Sequence, residues 1–151
     1  MFPSEICLDA NVFVSSLVRK EEHYSDALQT VETVQRRGMA IFEPEIVLFE
    51  FGTAIHRKRT TGEIDDEDTD DLIGHFFRLP ILFLWEASLM QRASSLAQNL
   101  SFKGISDCLY LAVAEKKNIP FVTFDGELLK KGRKIFSKIY SVTEFLASVS
   151  Q

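Results

Sequence analysis

Short apolar runs alternate with longer amphipathic ones along the chain, and the alternation orders the elements. EICLD (5–9) predicts a short buried strand that ends in an acid. NVFVSSLV (11–18) and SDALQTVETVQRR (25–37) predict helices, the second closed by Gly38. MAIFE (39–43) predicts a second strand, followed by a helix that runs to about residue 60 and is broken by Gly62. Residues 66–78 predict a further helix, stopped by Pro80. ILFLWE (81–86) reads as a third strand, with helices at ASLMQRASSLAQNL (87–100) and ISDCLYLAVAEKK (105–117). PFVTFD (120–125) predicts a fourth strand with a short helix behind it, and KIYSV (138–142) offers a fifth.

Short apolar strands separated by amphipathic helices indicate an α/β domain with a largely parallel sheet. Such a sheet is covered on both faces, so its strands read apolar throughout instead of alternating. Ligands in this architecture bind beyond the carboxyl ends of the strands. The 151 residues contain no repeat or linker, and one domain spanning 1–151 is expected. An apolar fraction of 46% with thirteen Phe argues against disorder. No apolar run approaches the ~20 residues of a membrane span. MFPSEICLD (1–9) lacks a basic region followed by an apolar one, which makes the cytoplasm the default location. Cys7 and Cys108 sit in apolar stretches without CxxC spacing, and buried unpaired thiols are expected. His23, His56 and His75 show no ligand spacing with them.

The net charge of −5 is unevenly spread. EIDDEDTDD (63–71) holds seven of the 22 acids, leaving 15 against 17 bases in the remainder. The segment lacks the spacing and central glycine of an EF-hand, and acids at a helix start are the simpler reading. The bases cluster in HRKR (56–59) and KKGRK (130–134). A basic patch beside an active site suits a polyanion, although most such runs are solvated helix ends.

One acid stands out. VLFEFGTAI (47–55) sets Glu50 between Phe49 and Phe51 in a run that otherwise reads as core. An unpaired buried carboxylate costs several kcal/mol, so it must protonate, meet a cation or meet a metal. On a helix Ile46, Glu50 and Ala54 share one face, and the partner must come from elsewhere in the chain; a salt bridge to Arg57 or another base is one candidate. Asp9 and Asp125 end the first and fourth strands, and Asp107 falls in the first turn of the helix before the fourth. Asp9, Glu50 and Asp125 all point to the carboxyl end of the sheet; Asp107 joins them if its helix starts on that side. Carboxylates gathered in one cleft repel each other, and hard divalent cations such as Mg²⁺ or Mn²⁺ relieve the repulsion while keeping waters and open positions. Such metals can activate water and stabilise a leaving oxygen in phosphodiester hydrolysis. Each Asp also has a simpler role open to it: Asp9, Asp107 (or Ser106) and Asp125 could cap helices or turns.

At these residues the chain resembles the PIN-domain family, particularly the VapC-like toxins of bacterial toxin–antitoxin modules. ICLDANVFV is similar to the opening D-x-N motif, giving Asp9 and Asn11. PEIVLFEFGTAIHR resembles the helix with the embedded glutamate, giving Glu50. SDCLYLAVAEKKNIPFVTFDGELL resembles the SDALYLALAE…VTxD block, giving Asp107, Thr123 and Asp125. Ala10 and Cys108 replace a frequent Thr and a frequent Ala, and neither change removes a ligand. The resemblance implies a three-layer PIN-like fold with a mostly parallel sheet of four to five strands flanked by helices. It implies a metal-dependent endoribonuclease in which Asp9, Asp107 and Asp125 hold Mg²⁺ or Mn²⁺ and Glu50 ligates through water or positions the nucleophile. Asn11 and Thr123 would orient carboxylates and waters, with Arg57, Lys58 and Lys130 as candidate phosphate contacts. RNA, a small antitoxin placing a basic side chain in the acidic cleft, and a second copy of the chain are the implied partners. The aromatic-rich HFFRLPILFLW (75–85) adds its own support for a homodimer.

Two rival readings share this fold class. A PIN fold that only binds RNA or protein would have lost its metal, and the presence of all four acids argues against it. A phosphatase of the same class would carry a second Asp two residues after its nucleophile, where Asn11 stands. No GxGxxG follows the first strand, which disfavours a dinucleotide site.

Overall fold

The computed structural model describes residues 3–151, so the first two residues of the N-terminal reading lie outside the described residues. Its centre is a five-stranded, all-parallel sheet in the order β3-β2-β1-β4-β5. The strands are β1 (Glu5–Leu8), β2 (Ala40–Pro44), β3 (Ile81–Leu84), β4 (Phe121–Thr123) and β5 (Ile139–Ser141). Eight helices among the described residues join and flank them: α1 (Ala10–Leu17), α2 (Tyr24–Arg36), α3 (Ile46–Thr60), α4 (Asp66–Phe77), α5 (Ala87–Leu100), α6 (Ser106–Lys117), α7 (Gly126–Gly132) and α8 (Val142–Val149). The result is the expected three-layer α/β arrangement. α6 packs across β1, β2 and β4 with α5 against it, while α1 packs with α2 and α3. No described helix is long and apolar enough to cross a membrane.

Local chemistry explains most boundaries. Gly38 takes φ +64° after α2 and Gly62 takes φ +77° after α3, conformations a residue with a side chain rarely adopts. The acidic run opens α4: Asp65 accepts from the Asp68 amide at 2.7 Å, and Asp66, Glu67 and Asp68 fill the first turn, where the helix dipole favours them. α8 was missed in the sequence reading. Its signature was present, because Ser141 and Glu144 form a reciprocal capping box at its start.

The core is continuous, with Ile6, Leu8, Phe13, Val47, Phe51, Phe76, Tyr110 and Phe121 all fully enclosed. Phe51 stacks on Phe76 with centroids 4.0 Å apart. β3 departs from the expectation of strands buried on both faces. As an edge strand it leaves Leu82 and Phe83 exposed, and Trp85 just beyond it is 82% exposed. Phe49, read as core beside Glu50, is 71% exposed on the same flank.

Between β1 and β2 a side chain replaces the sheet ladder. The amides of Cys7 and Asp9 donate to Pro120 and Val122 on the β4 side, so the Leu8 N–H faces β2. The β1–β2 register runs only through Ile6↔Ile41, and there the Glu43 carboxylate takes over, accepting from the Leu8 amide at 2.7 Å and facing the Cys7 thiol at 3.7 Å. Glu43 is fully buried, and burial first, then the nearby Asp9 charge, pushes its carboxyl well above the usual range. Glu43→Ala should therefore cost about 1–3 kcal/mol from the orphaned Leu8 amide, beyond the lost packing. Glu43→Gln keeps an acceptor and should stay within about 1 kcal/mol of the parent. Urea denaturation of both variants decides it; an Ala variant as stable as the parent would show that the bridge holds nothing.

Candidate functional site

β1 stands where the sheet changes direction, since the chain moves from it to β2 on one side and reaches β4 on the other. Crevices at such points lie beyond the carboxyl ends of the strands. There the structure forms an open cleft of about 530 Å³ lined by Asp9, Asn11, Glu50, Asp107 and Asp125, with His23, Arg57, Lys58 and Phe124 around them. The four acids expected to converge do so, each from a different element.

Asp9 occupies the N-cap position of α1 but makes no side-chain cap bond. Its Oδ2 instead accepts from the Thr123 hydroxyl at 2.6 Å. Thr123, itself fully buried, also accepts from the Asp125 amide at 3.0 Å, so one hydroxyl ties the end of β1 to the turn after β4. Asp125 does cap its helix, accepting from the amides of Glu127 (2.9 Å) and Leu128 (3.1 Å) through Oδ1. Neither Asp107 nor Ser106 caps α6; Ile105 holds the cap position with no side-chain bond. Glu50 finds its partner in the chain: the buried Tyr110 hydroxyl on α6 donates to its Oε1 at 2.6 Å. No ion pair joins it to Arg57.

Neutral donors, and no ion pairs among the described residues, therefore hold Asp9, Glu50 and Asp125, while the Asp107 carboxylate takes no side-chain hydrogen bond there, and the four remain to repel one another. Burial pushes Asp9 up to about 7, reinforced by Glu50, Asp107 and Asp125 and opposed by the Thr123 bond. Burial likewise raises Asp107 to about 6, with Asp125 and Glu50 adding to it. The Tyr110 hydroxyl is held far above its ordinary range, by burial first and then by the acids.

The basic residues are distributed differently from the sequence expectation. Lys58 lines the cleft but is paired with Glu21 and with Glu63 (3.2 Å). Arg59 pairs with Asp66 at 2.7 Å, Lys131 with Glu127 at 2.6 Å, and Arg133 with Glu144. Lys130 is exposed and takes no part in the lining of the cleft. Arg57 lines the cleft without an ion pair among the described residues. Glu43, immediately behind Asp9, escaped the sequence reading because MAIFE reads as an ordinary strand whose last residue could face solvent.

A divalent cation suits this donor set. The buried Oδ1 of Asn11 has no hydrogen-bond partner, in a cleft walled by four mutually repelling carboxylates. Among the described residues no three His, Cys, Asp or Glu side chains are arranged to hold an ion by themselves.

The PIN domain family model matches residues 6–134. No curated protein matches the chain. Among solved structures it is similar to PAE2754 from Pyrobaculum aerophilum, with a TM-score of 0.65 and 19% identity, covering 97% of this chain and 95% of that one. VapBC2 from Rickettsia felis, solved bound to a promoter DNA fragment, gives a TM-score of 0.65 at 17% identity over 91% of this chain and 98% of that one. VapC20 of Mycobacterium tuberculosis, a sarcin-ricin-loop-cleaving toxin, gives 0.62 at 15% identity over 84% and 95%. At these identities the solved structures establish a shared fold, and the family model covers most of the chain: the protein belongs to the PIN-domain family.

Proposed function

We propose that this protein is a divalent-metal-dependent endoribonuclease and the toxin of a toxin–antitoxin pair. The observation that carries the reading is the convergence of Asp9, Glu50, Asp107 and Asp125 on one cleft, none of them in an ion pair among the described residues. The PIN-domain family and the fold shared with VapC20 support it. Asp9, Asp107 and Asp125 would hold Mg²⁺ or Mn²⁺, with Glu50 acting through water. A metal held there would supply positive charge to the phosphodiester oxygens and would acidify a coordinated water. The chain's own residues do the positioning. Thr123 fixes Asp9 Oδ2, Tyr110 fixes Glu50 Oε1, and Arg57 faces the cleft as a free cation for a flanking phosphate.

A small antitoxin would bind the same cleft through a basic side chain, because such a side chain relieves the same repulsion as the metal. The fold shared with VapBC2 supports a partner of this kind. A second copy of the chain would cover the apolar groove that Phe49, Trp85 and Met90 line beside the edge strand β3. One domain spanning the chain and a cytoplasmic location complete the reading. The alternative, a PIN-fold module that only binds, needs a cleft that takes up no metal.

Incubation of the protein with mixed RNA across a Mg²⁺ and Mn²⁺ titration should give cleavage that EDTA abolishes; RNA left intact at every metal concentration supports the binding module. Glu50→Gln should lower cleavage by roughly a hundredfold or more, in the range seen when a single stabilising group is lost. Gln still accepts from Tyr110, so the metal-free variant should melt at or slightly above the parent temperature. Wild-type cleavage by folded Glu50→Gln would remove this residue from the reaction.

The raised acids fix a second outcome. Asp9, Asp107 and the buried Glu43 hold protons in the folded state at pH values where the unfolded chain has released them. The metal-free protein should therefore lose stability as pH rises from about 4 to about 7. For buried Asp9, at about 1.4 kcal/mol per unit, the loss amounts to a few kcal/mol. The exposed pairs that lower Glu86, Glu115 and Glu144 act in the opposite direction and are individually small. Chemical denaturation at pH 5 and at pH 8 measures the slope. Asp9→Asn should flatten it, and Mg²⁺ should restore stability mainly at pH 8; equal stability of the metal-free parent at both pH values would contradict the carboxylate repulsion.

Light scattering at micromolar concentration should report a dimer that Trp85→Glu converts to a monomer. A monomeric parent would reject the association.

A further inference from the structure

We propose that the stacked His23 and Phe124 rings at the rim of the cleft form a subsite for an unpaired nucleobase. The two rings lie nearly parallel, 15° apart, with centroids 4.6 Å from each other. Both line the carboxylate cleft, and Phe124 stands between Thr123 and Asp125 in the chain. The imidazole is exposed, makes no hydrogen bond, and does not cap α2 although His23 occupies that position. It stacks on Phe124 and is exposed at the cleft. Arg57 contributes an unpaired cation to the same lining. A flat aromatic surface, a cation and an acid cluster in one cleft match the three parts of a nucleotide strand: base, flanking phosphate and metal-bound phosphate. Bases of single strands stack on aromatic side chains in this way, and a base inside a duplex is not free to do so.

A plainer role exists for the pair, which could simply pin the loop after α1 to the turn after β4. A pin makes no distinction between substrates with and without a base, and that difference can be measured. The choice of substrate class rests on the nuclease reading of the neighbouring acids, so binding and cleavage are to be read separately.

Anisotropy of a fluorescent unpaired 12-nucleotide RNA is measured in Mg²⁺ in an Asp107→Asn background, which reads binding without turnover. The same strand is then used with single abasic residues scanned along it, as the DNA equivalent, and paired in a duplex. One abasic position should weaken binding by roughly tenfold or more, the scale of a lost base–aromatic stack. His23→Ala should lose a similar factor on the intact strand and become insensitive to that abasic residue, while His23→Phe keeps the sensitivity. The duplex should bind more weakly than the strand. Base dependence with RNA alone assigns a site that also reads the ribose; dependence with both strands assigns one that reads the base. An abasic residue that costs the His23→Ala protein as much as the His23-containing one, or costs neither anything, overturns the subsite and leaves the pin. Failure of every strand to bind overturns it as well. Base-dependent binding by a protein whose His23- and Asp107-containing form never cuts RNA would keep the subsite and reject the nuclease reading.

Discussion

Repulsion among four carboxylates that share one cleft without an ion pair among the described residues is the constraint to which the rest of this structure answers. A cleft of this kind would ordinarily be neutralised by arginine or lysine, and the chain has 17 such residues. Its fold directs nearly all of those near the site elsewhere: Lys58 to Glu21 and Glu63, Arg59 to Asp66, Lys131 to Glu127. Asp9, Glu50 and Asp125 receive hydroxyls and backbone amides instead. These donors fix the positions of the oxygens and leave their charge in place, the condition under which a divalent cation gains most.

Position is enforced by groups that lie behind the cleft. Thr123 links Asp9 to the turn that carries Asp125, and Tyr110 joins the helix bearing Asp107 to the carboxylate of Glu50. Both are buried in the core, so the geometry of the acids is tied to the packing of α6, β1 and β4. Glu43 adds a third constraint from the opposite side. By taking the Leu8 amide where the β1–β2 ladder stops, it holds the last peptide before Asp9 without a backbone partner. An amide left unpaired there would cost stability next to the site.

The acidic segment and the basic runs, which suggested polyanion binding or calcium on composition alone, are largely matched against each other at the surface. Lys58–Glu63 and Arg59–Asp66 join the end of α3 to the approach of α4. The remaining conspicuous surface is apolar. β3 is an edge strand with few of the charges that usually discourage association, and Phe49 and Trp85 extend the same flank.

The order of strands and helices, the parallel sheet and the four acids were legible in the sequence, because each rests on local chemistry. Apolar runs of strand length, Gly38 and Gly62 at helix ends, and an acid immediately after a strand all act within a few residues. So did the capping box of α8, which could have been read and was not. What the sequence left open were matters of partnership between distant positions. Asp9, Asp107 and Asp125 each stood in a place where helix capping was a sufficient explanation, and only Asp125 proved to cap. Thr123 lies 114 positions from Asp9 and Tyr110 lies 60 from Glu50, so no local pattern could pair them. The burial of Glu43 and the exposure of Phe49 and Trp85 inverted what hydropathy implies, since strand order in the sheet decides which strand is central and which is edge. Local chemistry wrote the elements and placed the acids at their ends; only tertiary packing decided which acids are satisfied by neutral donors, which cations are withdrawn, and which apolar side chains stay in water.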